Sequence, residues 1–548
     1  MSLDSYKVLR GSRRALLPGS RVLGAARPDE RVEVTVKLQR KEALLAVTDR
    51  PKTPLTRAEA AAKYGASPDD IKKVGEVLGR YGLDVIRSDA ATRSVELSGP
   101  ITALEKAFQV KLFRYAHEDG EYRGRTGSIH VPAELDRIVA GVYGLDNRKV
   151  IRRRKRRLPA RLELTANTAS HRGFFPAELA ELYRFPVGDG AGQSIGILEF
   201  GGGVLPDDLE LFCKRVGVSV PDVVPVSVDH AATNIDDDAA VEVMLDIEVI
   251  AGVCPKATIP VYFGPDLSER SLIDTVDRAI HDQVNNPFVL SISWGDFEES
   301  QRWSDGTLDR INESFQEAAL MGVTICVASG DDGTDDGAGD GHAHADFPAS
   351  SPFVLAVGGT DLRVPQGRAV ERAWKDGDGR RPVIGGTGGS GGGGVSSHFP
   401  RPDFQREITI ESINPGAIVG RVLPDVAAHA QTDSRTTGYF QVTDGRGFLD
   451  GGTSASAPLW AALIGLVNAE LQKQKGVNAR AGYLTPVLYQ AGEQGKPIGS
   501  VVCTDITVGD NASAAIGGYH ATSGYDAVTG WGSPIGTALL EELLTIVE

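Results

Sequence analysis

At 548 residues the chain is too long for one ordinary domain, and a composition of 41% apolar and 24% charged residues excludes a disordered or fibrous protein. Its net charge of −15 conceals an asymmetry: residues 1–170 hold 34 Lys and Arg against 21 Asp and Glu (+13), and residues 171–548 hold 24 against 52 (−28). The acidic part repels phosphate, which argues against a nucleic-acid partner; it should attract the basic part at neutral pH and release it as carboxylates protonate, which points to operation in acid.

Residues 1–30 read as irregular. From Arg31, RVEVTVKL alternates like a strand. Two helical stretches follow, TRAEAAAKYG and SPDDIKKVGEVLGRYG, the second with Ser67 at the cap, proline at its first position and acids in its first turn. LDVIRSD and TRSVELSG predict a strand pair, ITALEKAF a short helix, and VKLFRYAHEDGEYRGR a hairpin turning near Asp119-Gly120. This is an α+β domain over residues 1–147, with helices on one face of an antiparallel sheet.

The basic run RKVIRRRKRRLPAR opens a linker, residues 148–169, read as solvated, lying against its acidic neighbour and open to proteolysis. From residue 170 the texture becomes α/β. SIGILEF, ATIPVYF, PFVLSISW, VTICVASG and FVLAVGGT are short apolar runs typical of strands buried on both faces. Helical stretches such as EVMLDIEVIAG and LDRINESFQEAALMG separate them, so a mostly parallel sheet flanked by helices follows. The four cysteines show no metal-ligand spacing, and Cys326 reads as a buried thiol. No segment is long enough to cross a bilayer, and MSLDSYKVLRGSRRALLPGS lacks the apolar stretch of a secretory signal.

Three segments carry candidate chemistry. In GGTSASAPLWAALIGLVNAEL, Ser454 stands where a long apolar helix begins, so it is either a capping serine or a nucleophile beside free N–H groups. In AVEVMLDIEVIAGV, Glu242 and Asp246 share one face of an apolar helix, a spacing that suits a proton-sharing pair of acids; Glu248 reads as a solvent-facing acid. In VASGDDGTDDGAGD, Asp331 follows a buried strand, where α/β active sites collect, and the acids after it read as a solvated loop.

Together with FPASSPFVLAVGGT and LPDVAAHA, these motifs resemble the sedolisin family of serine-carboxyl peptidases, in its kumamolisin-like branch, from the pro-segment to the C-terminus. The resemblance implies a subtilisin-like catalytic domain (170–548) behind a ferredoxin-like pro-domain that inhibits and assists folding, with the linker in the cleft and processing near residues 165–172. It implies Ser454 as nucleophile, Glu242 as general base, Asp246 as its orienting acid, and Asp331 as a protonated oxyanion donor. Glu199 and Trp294 match the acid network's extension, and Asp346 a substrate-cleft position. One structural Ca²⁺ is implied at Asp505, Asp526 and the carbonyls of Ile506, Thr522 and Gly524, with Thr522 standing where the resembled sequences carry glycine. An extracellular, monomeric endopeptidase acting on proteins in acid is the expectation. A His-based subtilisin mechanism using His230 or His429 is the second reading, and an inactive partner-binding relative the third.

Overall fold

The computed structural model describes residues 6–153 and 173–547, apart from 236, 381–387, 417, 433–436, 494, 514 and 515. Residues 154–172, which include the predicted processing bond, lie outside the described residues.

The first domain is built on a four-stranded antiparallel sheet in the order Asp84–Asp89, Ser94–Pro100, Arg31–Leu38, Val139–Tyr143. With helices Pro68–Gly79 and Ile101–Phe108 between its strands, this is the β-α-β-β-α-β arrangement expected. Pro68 opens its helix as predicted, although the Ser67 side chain makes no capping bond. The alternation of RVEVTVKL divides two tasks: Val32, Val34, Val36 and Leu38 enter this domain's core, while Thr35 and Lys37 reach residues of the second domain. The hairpin pairs Phe113–His117 with Gly120–Gly124. Residues 1–30 are not irregular throughout: Tyr6–Val8 pairs with His130–Pro132, and Arg21–Ala25 adds a third strand to the hairpin. Their partners lie about a hundred residues away, and no local pattern announces such pairing.

In the second domain the parallel strands Asp222–Ser227, Thr258–Gly264, Ile195–Phe200, Val289–Ile292, Thr324–Ala328 and Leu355–Arg363 run side by side in that order. Val426–His429 adds in parallel and Val370–Ala373 antiparallel to the last of them. Helices Ala240–Val253 and Thr453–Lys475 cover one face and pack on each other; Glu269–His281 and Thr307–Leu320 cover the other. The four cysteines are buried free thiols, and among the described residues no helix is long and apolar enough to cross a membrane.

The first domain docks on Glu269–His281 and Thr307–Leu320 through the predicted charge asymmetry, now as specific pairs. Lys37 Nζ lies 2.9 Å from Asp274 and 2.8 Å from Asp277, with all three buried. Arg14 pairs with Glu269, Arg40 with Glu317, and Arg57 donates to the carbonyl of Ile280 at 2.7 Å. Helix Arg57–Tyr64 belongs to this interface, its Ala60 and Tyr64 packing into the second domain's core. The basic run does not begin in solvent: Arg148 is buried against Asp146, and Val150 and Ile151 are buried beside Leu267.

Candidate active site

From Ile195–Phe200 the chain crosses to the edge strand Asp222–Ser227, fills in Thr258–Gly264 between them, and then passes to the other side with Val289–Ile292, so the topology reverses between Ile195–Phe200 and Val289–Ile292. Crevices form at the carboxyl ends of strands at such a point. Glu199 ends the first strand and Trp294 follows the second, and Trp294 Nε1 donates to Glu199 Oε2 at 2.9 Å. Asp331 follows the next strand, Thr324–Ala328.

Ser454 lies in the first turn of helix Thr453–Lys475, capped by Gly452, where backbone N–H groups lack intrahelical partners. Two acids reach it through small hydroxyl residues. Asp331 Oδ1 accepts from the Thr453 N–H at 2.8 Å and its hydroxyl at 2.7 Å. Asp246 Oδ2 accepts from Ser293 Oγ at 2.8 Å, and that hydroxyl lies 3.4 Å from the Ser454 carbonyl. Gly452 has φ +95°, and a Cβ there would stand 2.5 Å from Asp331 Oδ2, so both the turn and the close approach require glycine.

Every residue of Ala240–Val253 is buried, so Glu242 and Asp246, one turn apart, face packed protein rather than water. The Ser454 hydroxyl and both Glu242 oxygens are buried without hydrogen-bond partners among the described residues. Catalytic bonds that tighten only with substrate behave in this way. Glu248 departs from the expected solvent-facing stripe: it is buried and accepts the Val442 N–H at 2.9 Å, because a second layer covers that side of the helix. The acids after Asp331 depart too. Asp332, Asp335 and Asp336 are buried, and Asp336 receives Arg152 from the linker.

Residues 152–153 at the start of that linker form a short strand. Arg152 and Arg153 pair antiparallel with Gly295 and Trp294, and Asp346 and Phe347 flank the far side of the same strand. Arg152 Nε lies 3.0 Å from Asp296 Oδ1. Asp346, the predicted cleft residue, is buried beside this strand. Ser293, Asp296 and Asp336 escaped sequence reasoning; the position of Ser293 and Asp296 just past the apolar run PFVLSI was the available signal.

Among the described residues no histidine bonds the Ser454 hydroxyl. His230 and His342 are exposed, and His344 pairs with Glu299 and Asp340. Buried His429 accepts the Leu362 N–H on Nδ1 at 3.2 Å and meets Thr437 Oγ1 with Nε2 at 3.1 Å; burial pushes its pKa down to about 4.

At the C-terminal end, Asp505 accepts the Gly524 N–H and Asp526 the Thr522 N–H, each at 2.9 Å, which brings both carboxylates to one turn. Asp526 is buried and pairs with no Lys or Arg among the described residues. A buried carboxylate without a counter-charge beside a set of oxygen donors fits a hard cation.

Residues 18–148 match the family described as Pro-kumamolisin, activation domain, and residues 230–496 match the subtilase family. Fold and site therefore define a subtilase-like serine peptidase that carries its activation domain. Kumamolisin of Bacillus sp. (strain MN-32) is 40% identical over 560 residues, covering 99% of this chain and 97% of that protein. Tripeptidyl-peptidase sed5 of Aspergillus fumigatus is 29% identical, covering 98% and 97%. Among solved structures, Pseudomonas sedolisin, a serine-carboxyl proteinase complexed with two molecules of pseudo-iodotyrostatin, superposes with a TM-score of 0.58 at 25% identity, covering 69% of this chain and 99% of that one. The chain belongs to the sedolisin family of serine-carboxyl peptidases.

Proposed function

We propose that the chain is an acid-acting endopeptidase precursor in which Ser454 attacks the scissile carbonyl of a protein substrate and Glu242 takes the hydroxyl proton. Asp246 shares that proton and is oriented by Ser293. The tetrahedral oxyanion is stabilised by Asp331 in its neutral form, a contribution of about 2.7–4 kcal/mol for one such donor. Glu242 then returns the proton to the departing amine, and water reverses the steps on the acyl-enzyme. The observation that carries this reading is the double tether on Ser454: Asp331 through Thr453 on one side and Asp246 through Ser293 on the other, with no imidazole among the described residues bonded to its hydroxyl.

A carboxylate base has an intrinsic pKa of about 4 and a donor acid must stay protonated, so both demands are met together only in acid. The linker strand beside Trp294 supports intramolecular self-processing, with the pro-domain as inhibitor and the domain boundaries near 147 and 170. Glu199, Trp294 and Asp346 serve as the extended acid network and cleft wall. One structural calcium, held by Asp505, Asp526 and the carbonyls of Ile506, Thr522 and Gly524, would tie the C-terminal loops together. Release outside the cell and action as a monomer are supported by the family resemblance.

The test is incubation of the precursor at about pH 4 with sequencing of the new N-terminus. Ser454→Ala and Glu242→Gln should each abolish processing, a loss of roughly 10⁴-fold or more. A fully processed, active Glu242→Gln protein would remove the base assignment.

A further inference from the structure

A cavity of about 560 Å³ lies between the two domains, and none of the active-site residues lines it. Its walls come from residues 9–12, 39–44 and 140–143 of the pro-domain and from residues 304–316 of the peptidase, so it exists only while the two are docked. Five guanidiniums line it: Arg10, Arg40, Arg93, Arg125 and Arg310.

Two of them already have carboxylates, Arg40 with Glu317 and Arg310 with Asp277 at 2.6 Å. Arg93 and Arg125 do not. Arg93 is 3% exposed, donates one bond to the Leu38 carbonyl at 2.9 Å and forms no ion pair among the described residues. Arg125 is 4% exposed and donates only to the carbonyls of Gly127 at 2.6 Å and Ser12 at 2.7 Å, its Nε–H having no acceptor. The acids of the wall itself are engaged or turned away: Asp309 binds His398 at 2.8 Å, Glu313 lies 3.6 Å from Arg40, and Glu42 is exposed. Asp277 and Glu317 act on Arg93, and Asp146 and Glu269 on Arg125, only without direct contact, and each of these acids already holds another arginine.

A buried guanidinium without a counter-charge is costly, and two on one cavity wall call for an anion from outside the chain. Burial dominates their acidities: it pushes Arg93 down to about 9, aided by Arg310 and Arg40 and opposed by Asp277 and Glu317, and Arg125 down to about 10, aided by Arg14 and Arg148 and opposed by Asp146 and Glu269. Both still carry full charge in acid.

We propose that this cavity binds a compact, multiply charged oxygen anion that bridges pro-domain and peptidase and holds the precursor in its docked state. Planar guanidiniums match the oxygens of such anions. Because the ligand binds only the docked form, it stabilises that form by mass action. The site stands apart from the proposed catalytic reading, and its test needs no activity.

The test uses the full-length precursor with Ser454→Ala, which prevents processing. Sulfate, phosphate and citrate are each titrated against chloride at constant ionic strength, with heat of binding and Tm as readouts. Saturable binding and a Tm rise of about 2 °C at saturation are expected. Sulfate should act equally at pH 7 and pH 4, whereas phosphate should weaken at pH 4, where it sheds a charge. Adding Arg93→Met should remove the response and raise the Tm in chloride, since an uncompensated charge is gone; Arg125→Met provides the same test if the first variant folds poorly. A response confined to citrate assigns the site to polycarboxylates, and one confined to sulfate and phosphate assigns it to tetrahedral oxyanions. No saturable binding, or an equal Tm shift in both arginine variants, overturns the proposal.

Discussion

Asp331 accepts both the N–H and the hydroxyl of Thr453 on Oδ1, while Oδ2 faces Gly452; as the proposed oxyanion donor it acts with a proton on the carboxyl. An oxyanion donor must hold that proton, so the alkaline limb of activity should follow the acidity of Asp331. Asn offers an N–H at any pH. Asp331→Asn should therefore lower kcat by about tenfold or more yet move the alkaline limb of the kcat profile upward, measured on a peptide substrate between pH 3 and 8. An unmoved limb would assign it to another group. Ser454, Glu242, Asp246 and Asp331 stood out as candidates because a polar residue amid apolar neighbours is conspicuous along a chain, and the family resemblance supplied their proposed roles. Ser293 did not stand out, because a serine at a strand end is unremarked until the fold sets it between Asp246 and Ser454.

At the scale of elements, the linker strand explains why the precursor would cut itself. Arg152 and Arg153 lie along Trp294–Gly295 as an added strand, supplying backbone bonds that do not depend on side chains. Arg152 adds a charged contact at 3.0 Å to Asp296 and a bond to Asp336. Asp296 and Asp336 thus form an acidic pocket for a basic side chain. Arg152→Ala should slow processing at pH 4 by about tenfold, the scale of one charge-assisted hydrogen bond, in a reaction whose rate is independent of protein concentration. N-terminal sequencing over time reads this directly; an unchanged rate would show that the backbone alone holds the linker.

For the whole molecule, the charge asymmetry acts differently from its bulk reading. Asp274 is held below the ordinary carboxylate range against its burial by Lys37 and Arg270, Asp277 by Arg310 and Lys37, and Asp146 by Arg14 and Arg148. A depressed folded pKa contributes stability that is present above the unfolded value near 3.8 and is lost only as pH falls through the folded value. At pH 4 these bridges are intact, so mild acid alone should not free the pro-domain; cutting the linker should. The Ser454→Ala precursor should stay docked at pH 4 in small-angle scattering. Lys37→Met, which leaves Asp274 and Asp277 without their shared cation, should weaken it by about 3 kcal/mol in urea unfolding. The calcium proposed at the C-terminal loops has its own test: chelation should lower the Tm by several degrees, and Asp526→Asn should abolish that dependence. A Tm indifferent to chelator would remove the ion.

Local pattern determined the element types and the reading of two domains with a connecting basic run, and it marked four candidate site residues, because periodicity and polar breaks in apolar runs are properties of neighbours along the chain. Tertiary structure alone decided that residues 6–25 form strands, that Glu248 and the acids after Asp331 are buried, and that the charge difference between domains resolves into bridges that outlast mild acid. It also placed two unpaired arginines on one interdomain cavity. Each of these depends on groups far apart in sequence excluding water from one another, and exclusion of water is a property of the packed molecule rather than of any segment.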